Sequence, residues 1–167
     1  FDIGSVDSLL SELSVIQESS RIVKDLEIGD INLDGYPDIV SASLQDGRIA
    51  WYQNLVGELG PENFSTIHSI TTYLAAPAHI KLVDMDGDGD VDILGANSIE
   101  LVWLENSGQA PYFTQQSLRT FLFSPSSITD IAVLDWNNDA VPDVVVAADG
   151  QVYLYINKGV SNPLLSD

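Results

Sequence analysis

Cysteine is absent from the chain's 167 residues. That removes disulfide frameworks, thiolate nucleophiles and cysteine-ligated zinc from consideration. Basic residues are scarce: six Lys and Arg stand against 25 Asp and Glu, for a formal net charge of −19. Such a surface excludes nucleic acid, whose binders need basic patches, and adsorption to anionic membranes. No apolar run approaches the roughly 18–20 residues that a membrane-spanning helix needs, so no membrane insertion is expected. The two histidines, His68 and His79, are solitary and suit neither zinc ligation nor acid–base catalysis. No Ser/His/Asp spacing, phosphate loop or nucleotide fingerprint is found, and the chain is expected to have no catalysis of its own. It opens on Phe1 without an initiator Met or leader, and is expected to be a mature or excised segment.

Apolar residues make up 45% of the chain, so this is a domain with a core, not a disordered acidic tail. The acids are also not spread evenly. Three stretches share one pattern: Asp30-Ile-Asn32-Leu-Asp34-Gly35-Tyr36-Pro-Asp38, Asp84-Met-Asp86-Gly-Asp88-Gly89-Asp90-Val-Asp92 and Asp135-Trp-Asn137-Asn-Asp139-Ala140-Val141-Pro-Asp143. Their starts are 54 and 51 residues apart, and they hold eleven of the acids. Oxygen side chains at positions 1, 3, 5 and 9 of a nine-residue loop suit a hard cation such as Ca²⁺, which takes about 6–8 oxygen ligands. Three copies in register indicate a repeat architecture as well as a metal site.

Aligned on these loops, the rest of the chain falls into step. An alternating apolar run precedes each loop (Leu26 to Gly29, Ile80 to Val83, Ile131 to Leu134) and another follows it (Ile39 to Ala42, Val91 to Leu94, Val144 to Ala147). A third run ends in Asn54, Asn106 or Asn157, spaced 52 and 51 residues apart, with Gly57, Gly108 or Gly159 shortly after. A fourth, more polar run spans 64–70 and 113–118. Runs this short, β-branched and aromatic, bounded by Gly, Asn, Pro and Asp, predict strands.

Four strands in a unit of about 50 residues predict β-propeller blades. The fold class expected is all-β, with about three blades of four antiparallel strands forming part of a larger or oligomeric propeller. Repeats are assigned to 21–74, 75–124 and 125–167, the last lacking its fourth strand. Residues 1–20 are assigned to the outer strand of an adjacent blade or to a closing strand. The innermost runs are expected to be buried on both faces and the outermost to face solvent. Open blade edges offer a route to self-association.

The metal ligands assigned are Asp30, Asn32, Asp34, Tyr36 and Asp38 in loop one, Asp84, Asp86, Asp88, Asp90 and Asp92 in loop two, and Asp135, Asn137, Asp139, Val141 and Asp143 in loop three. Position 7 (Tyr36, Asp90, Val141) contributes its backbone carbonyl. Position 6 needs a sharp turn with positive φ, which Gly35 and Gly89 allow. Ala140 takes that place in loop three, at a cost of about 1–2 kcal/mol. Two calcium sites are therefore expected, with loop two the strongest and loop three compromised. An EF-hand is excluded: its twelfth position should be Glu, and here Ser41, Gly95 and Val146 stand there.

D-x-[DN]-x-D-[GA]-x-x-D between strands, followed by W-x-x-N, resembles the FG-GAP/VCBS repeats of integrin-α-like propellers, over about residues 10–160. The integrin version's Phe-Gly and Gly-Ala-Pro elements are missing, so the likeness is to the VCBS-type variant. The resemblance implies calcium in the hairpin between the first two strands of each blade, and an extracellular or cell-surface setting.

Trp51 and Trp103 recur at one register, where a core or inter-blade packing position is favoured over sugar stacking. Trp136, at position 2 of loop three, has no aromatic counterpart in the other loops. Asn63-Phe-Ser65 is an N-glycosylation sequon. The function expected is an extracellular calcium-stabilised interaction, adhesion or scaffold module for a protein or glycan ligand. A carbohydrate-binding propeller lectin and an accessory domain of a secreted enzyme are the alternatives.

Overall fold

A computed structural model describes residues 22–45, 47–55, 64, 68–70, 74–113, 118–122 and 127–159. Eleven strands occur among them and no helix. The first sheet holds β1 (Val23–Gly29), β2 (Asp38–Ser43), β3 (Arg48–Tyr52) and β4 (His68–Ile70). The second holds β5 (His79–Val83), β6 (Asp92–Ala96), β7 (Glu100–Leu104) and β8 (Leu118–Leu122). The third holds β9 (Ile128–Leu134), β10 (Asp143–Ala148) and β11 (Gln151–Tyr155). Within each sheet the strands run in chain order and every pairing is antiparallel. This is the meander of a propeller blade, written three times. The expected segment 10–18, Gly57 and the Asn63 sequon lie outside the described residues.

The same register recurs because the same turn chemistry recurs. Position 9 of each acidic loop opens the second strand: Asp38 pairs with Gly29, Asp92 with Val83, and Asp143 with Leu134. The second and third strands then pair Ile39 with Tyr52, Ile93 with Leu104 and Val144 with Tyr155.

Alternation along the strands sorts side chains to opposite faces, and two cores result. Val40, Ala42, Ile49 and Trp51 of sheet one meet Ile80, Ile93, Val102 and Leu104 of sheet two. On the far face of sheet two, Leu94, Ala96, Leu101 and Trp103 meet Ile131, Val144 and Val146 of sheet three. Sheet two is therefore covered on both sides, and all five residues of β6 are buried. Gly95 is a close-approach point: a Cβ there would lie 3.0 Å from Ile49 Cδ1.

Two expectations are corrected. First, of the inner runs expected to be buried on both faces only β6 is buried throughout; β2, β3 and β7 each have one partly covered residue, and β10 and β11 are less covered. β1 and β9 alternate between covered and exposed residues. The first strands lie beside one another across the sheets, β1 against β5 and β5 against β9, and carry charged residues such as Asp25, Glu27, Lys81 and Asp130 between their apolar ones. Second, β8 starts at Leu118, where the run read for it ends. An outer strand has one bonded neighbour and hence weak patterning, so sequence places it poorly.

Candidate metal centre

Each acidic loop joins the first strand of a blade to the second and is folded by its own carboxylates. The position-1 carboxylate accepts the position-6 N–H: Gly35 to Asp30 at 2.8 Å, Gly89 to Asp84 at 3.0 Å, and Ala140 to Asp135 at 3.0 Å. The position-5 carboxylate accepts the position-7 N–H: Tyr36 to Asp34 at 3.0 Å, Asp90 to Asp88 at 2.9 Å, and Val141 to Asp139 at 2.9 Å. Position 6 is left-handed in all three, with φ of 91° at Gly35, 96° at Gly89 and 68° at Ala140. Ala140 thus adopts the shape of the other loops at a steric cost. Position 4 is left-handed too, at Leu33, Gly87 and Asn138.

The loops differ at position 3. In loop one the Asn32 amide donates to Asp34 at 2.8 Å, and in loop three the Asn137 amide donates to Asp139 at 2.8 Å. Part of the carboxylate charge is met internally. Loop two has Asp86 instead, and its carboxylate joins Asp84 and Asp88 with ligand atoms all within 4.8 Å of one another. Burial first, and then the neighbouring Asp88, push the Asp86 carboxyl above the usual range. Three carboxylates so close repel unless a cation or protons neutralise them, and oxygen-only ligands suit Ca²⁺. Loop two is therefore the arrangement that fits a divalent cation best among the three.

Position 9 behaves differently. Asp38, Asp92 and Asp143 are fully buried. Asp92 accepts the Met85 N–H at 3.0 Å, the Asn106 N–H at 2.7 Å and the Trp103 indole N–H at 2.9 Å. Asp38 and Asp143 repeat the two backbone contacts, to Ile31 and Asn54 and to Trp136 and Asn157. Burial pushes Asp92 up to about 7, against the pull of its donors. Asp38 is raised for the same first reason. The Trp51 indole N–H draws Asp38 downward by its proximity but falls short of hydrogen-bond geometry. Position 9 thus staples the start of its loop to the end of the third strand.

The Asn that ends the third strand has a role that its recurrence alone did not state. The Asn106 side-chain amide donates to Val91 O at 3.0 Å in its own unit and to Ile31 O at 2.9 Å in the preceding one. Its carbonyl accepts the Gly108 N–H at 3.0 Å. Asn157 repeats this, donating to Met85 O at 2.8 Å and accepting from Gly159 at 3.1 Å. Each buried Asn clamps the next blade to the acidic loop before it. The sequence signal was a polar residue at constant spacing, closing an apolar strand.

Trp51 and Trp103 are buried in the inter-blade cores, so neither offers a stacking face. His68 packs on Trp51 with ring centroids 4.8 Å apart. Among the described residues no helix is long and apolar enough to cross a membrane.

A family model described as FG-GAP-like repeat matches residues 30–95 and 84–146. Each match runs from one acidic loop into or beyond the next. No curated protein matches the chain.

Proposed function

The chain belongs to the FG-GAP-like repeat family, and from that premise we propose that it is an extracellular, calcium-stabilised interaction or scaffold module without catalysis of its own. The observation that carries this reading is the Asp84, Asp86 and Asp88 cluster, with ligand atoms within 4.8 Å, at the hairpin between β5 and β6. Asp90 would add its backbone carbonyl, as in the pattern read from sequence, whereas the Asp92 carboxylate assigned there is taken up by the Met85, Asn106 and Trp103 N–H groups.

Loop one, with Asp30, Asn32, Asp34, Tyr36 and Asp38, is the second site. Loop three, with Asp135, Asn137, Asp139, Val141 and Asp143, is the weakest. Calcium would supply charge neutralisation and tie the first two strands of a blade; three ions would bring −19 to −13. Extracellular modules of this kind bind with Kd of roughly 10⁻⁴–10⁻³ M, matched to a calcium-rich setting. A ligand present at a hundredfold excess over Kd adds about 2.7 kcal/mol to the folded state.

The test is thermal unfolding in millimolar Ca²⁺ and in EDTA. A melting temperature that rises with Ca²⁺, and rises less in an Asp86→Asn, Asp88→Asn double variant, is the expected result. An identical melt in both buffers would overturn the calcium reading and leave the loops as plain hairpins.

A further inference from the structure

Position 2 of each acidic loop lies between the ligands assigned at positions 1 and 3, and its N–H bonds to position 9. The Ile31 N–H donates to Asp38 at 3.2 Å, the Met85 N–H to Asp92 at 3.0 Å and the Trp136 N–H to Asp143 at 3.0 Å. In loops one and two the position-2 carbonyl is bonded as well, by the Asn that ends the third strand of the following unit. Asn106 reaches Ile31 at 2.9 Å and Asn157 reaches Met85 at 2.8 Å. The same Asn donates its backbone N–H to the position-9 carboxylate of its own unit: Asn106 to Asp92 at 2.7 Å, and Asn157 to Asp143 at 2.8 Å.

Joined end to end, these contacts form one continuous path of hydrogen bonds through all three loops. From Ile31 O in loop one it passes through Asn106 to Asp92, and from Asp92 to the Met85 N–H in loop two. From Met85 O it passes through Asn157 to Asp143, and so to the Trp136 N–H in loop three. Every link before the last is buried, where a hydrogen bond is electrostatically stronger than in water and costlier to lose. Both blade junctions that the path crosses are internal to the described residues.

A cation held by positions 1 and 3 fixes the position-2 peptide groups between them. Fixing Ile31 O fixes Asn106, and with it Asp92 and the first residues of loop two. Order imposed on one loop is then already present when the next loop binds, and a pre-ordered site loses less conformational entropy on binding. We infer that the three acidic loops bind their cations cooperatively, coupled from blade to blade through Asn106 and Asn157. The inference rests on the calcium reading and deepens it: that reading says what the loops hold, and this one says that they do not fill independently. Coupling of this kind is reciprocal, so loss of the loop-two site weakens loop one, and loss of loop one weakens loop two by the same factor.

The experiment is a Ca²⁺ titration of the full chain followed by nuclear magnetic resonance, with the backbone amides of Gly35, Gly89 and Ala140 as separate reporters of loops one, two and three. Each donates to the position-1 carboxylate of its own loop. Salt at about 1 M shortens the Debye length to about 3 Å, so the charge of one loop is not felt directly at the next. In the Asp86→Asn, Asp88→Asn double variant the Kd read at Gly35 and at Ala140 should rise about fivefold or more over the parent. Adding Asn106→Ala to both proteins should abolish this rise at Gly35 and keep it at Ala140, and Asn157→Ala should do the reverse. Melting in parallel identifies a clamp variant that does not fold, and the loop-two variant, which keeps both clamps, then decides alone. Binding at Gly35 with an unchanged Kd in the loop-two variant would overturn the inference and leave the calcium reading standing. So would a rise at Gly35 that persists in folded Asn106→Ala. Parent amides that do not respond to Ca²⁺ at all would overturn both.

Discussion

The side-chain amide of Asn106 lies 2.9 Å from the backbone carbonyl of Ile31, a residue 75 positions earlier in the chain. The buried Ile31 carbonyl is met from the other blade, while the Asn106 amide also donates to Val91 O of its own unit. The contact converts two sheets packed by apolar side chains into two sheets held at one relative position. Asn106→Ala should therefore cost roughly 2–3 kcal/mol in urea unfolding, since it strands the buried carbonyl of Ile31 and the partly buried one of Val91. Asn157→Ala should cost a similar amount. Lys81→Met is the contrast: the Lys81–Glu27 ion pair also links the first two sheets but is about a third exposed, and should be worth under ~1 kcal/mol.

Asp92→Ala should destabilise the fold by about 3 kcal/mol or more, because three buried donors lose their acceptor together. Trp103→Phe removes one of those donors and leaves the carboxylate in place, so it should cost less. Equal losses in the two variants would show that the carboxylate matters only through the indole.

Asp86→Asn should change sign with calcium. In EDTA it relieves repulsion within the Asp84, Asp86 and Asp88 cluster and should raise the melting temperature or leave it unchanged. In Ca²⁺ it removes a charged ligand and should lower the temperature relative to the parent. Isothermal titration should show one class of site weakened, and a shift of the same sign in both buffers would count against a cation at loop two.

Ala140→Gly should stabilise loop three by about 0.5–1 kcal/mol. Glycine relieves the left-handed strain at φ 68°, and its greater freedom in the unfolded chain takes back part of the gain. Calcium affinity at this loop should improve with it. Gly89→Ala is the reverse experiment and should cost about 1–2 kcal/mol.

The loops were legible in sequence because the physics that shapes them is local. Carboxylates at positions 1 and 5 fold onto amides a few residues away, and Gly35 and Gly89 announce the turn. The positive φ at Ala140 followed from alignment alone. The strand before each loop and the two after it were legible too, since apolar alternation and the spacing of Asn54, Asn106 and Asn157 marked them. What sequence left unsaid is non-local. The burial of Asp92 depends on Trp103 and on the end of β7, and the reach of Asn106 depends on which loop lies beneath it. Whether Leu26 is covered depends on what stands beside β1, and no pattern inside β1 records that.

Sheet two is enclosed by both neighbours, while sheets one and three each show an apolar strand or face to solvent. Stability in such an array is distributed by nearest neighbours, and local opening starts where contacts are fewest. The amides of β6 should therefore be the last to exchange with deuterated water, and those of β11 among the first. The described sheets would then open from the outer two toward the middle one, with the most acidic loop anchored to the segment that holds out longest.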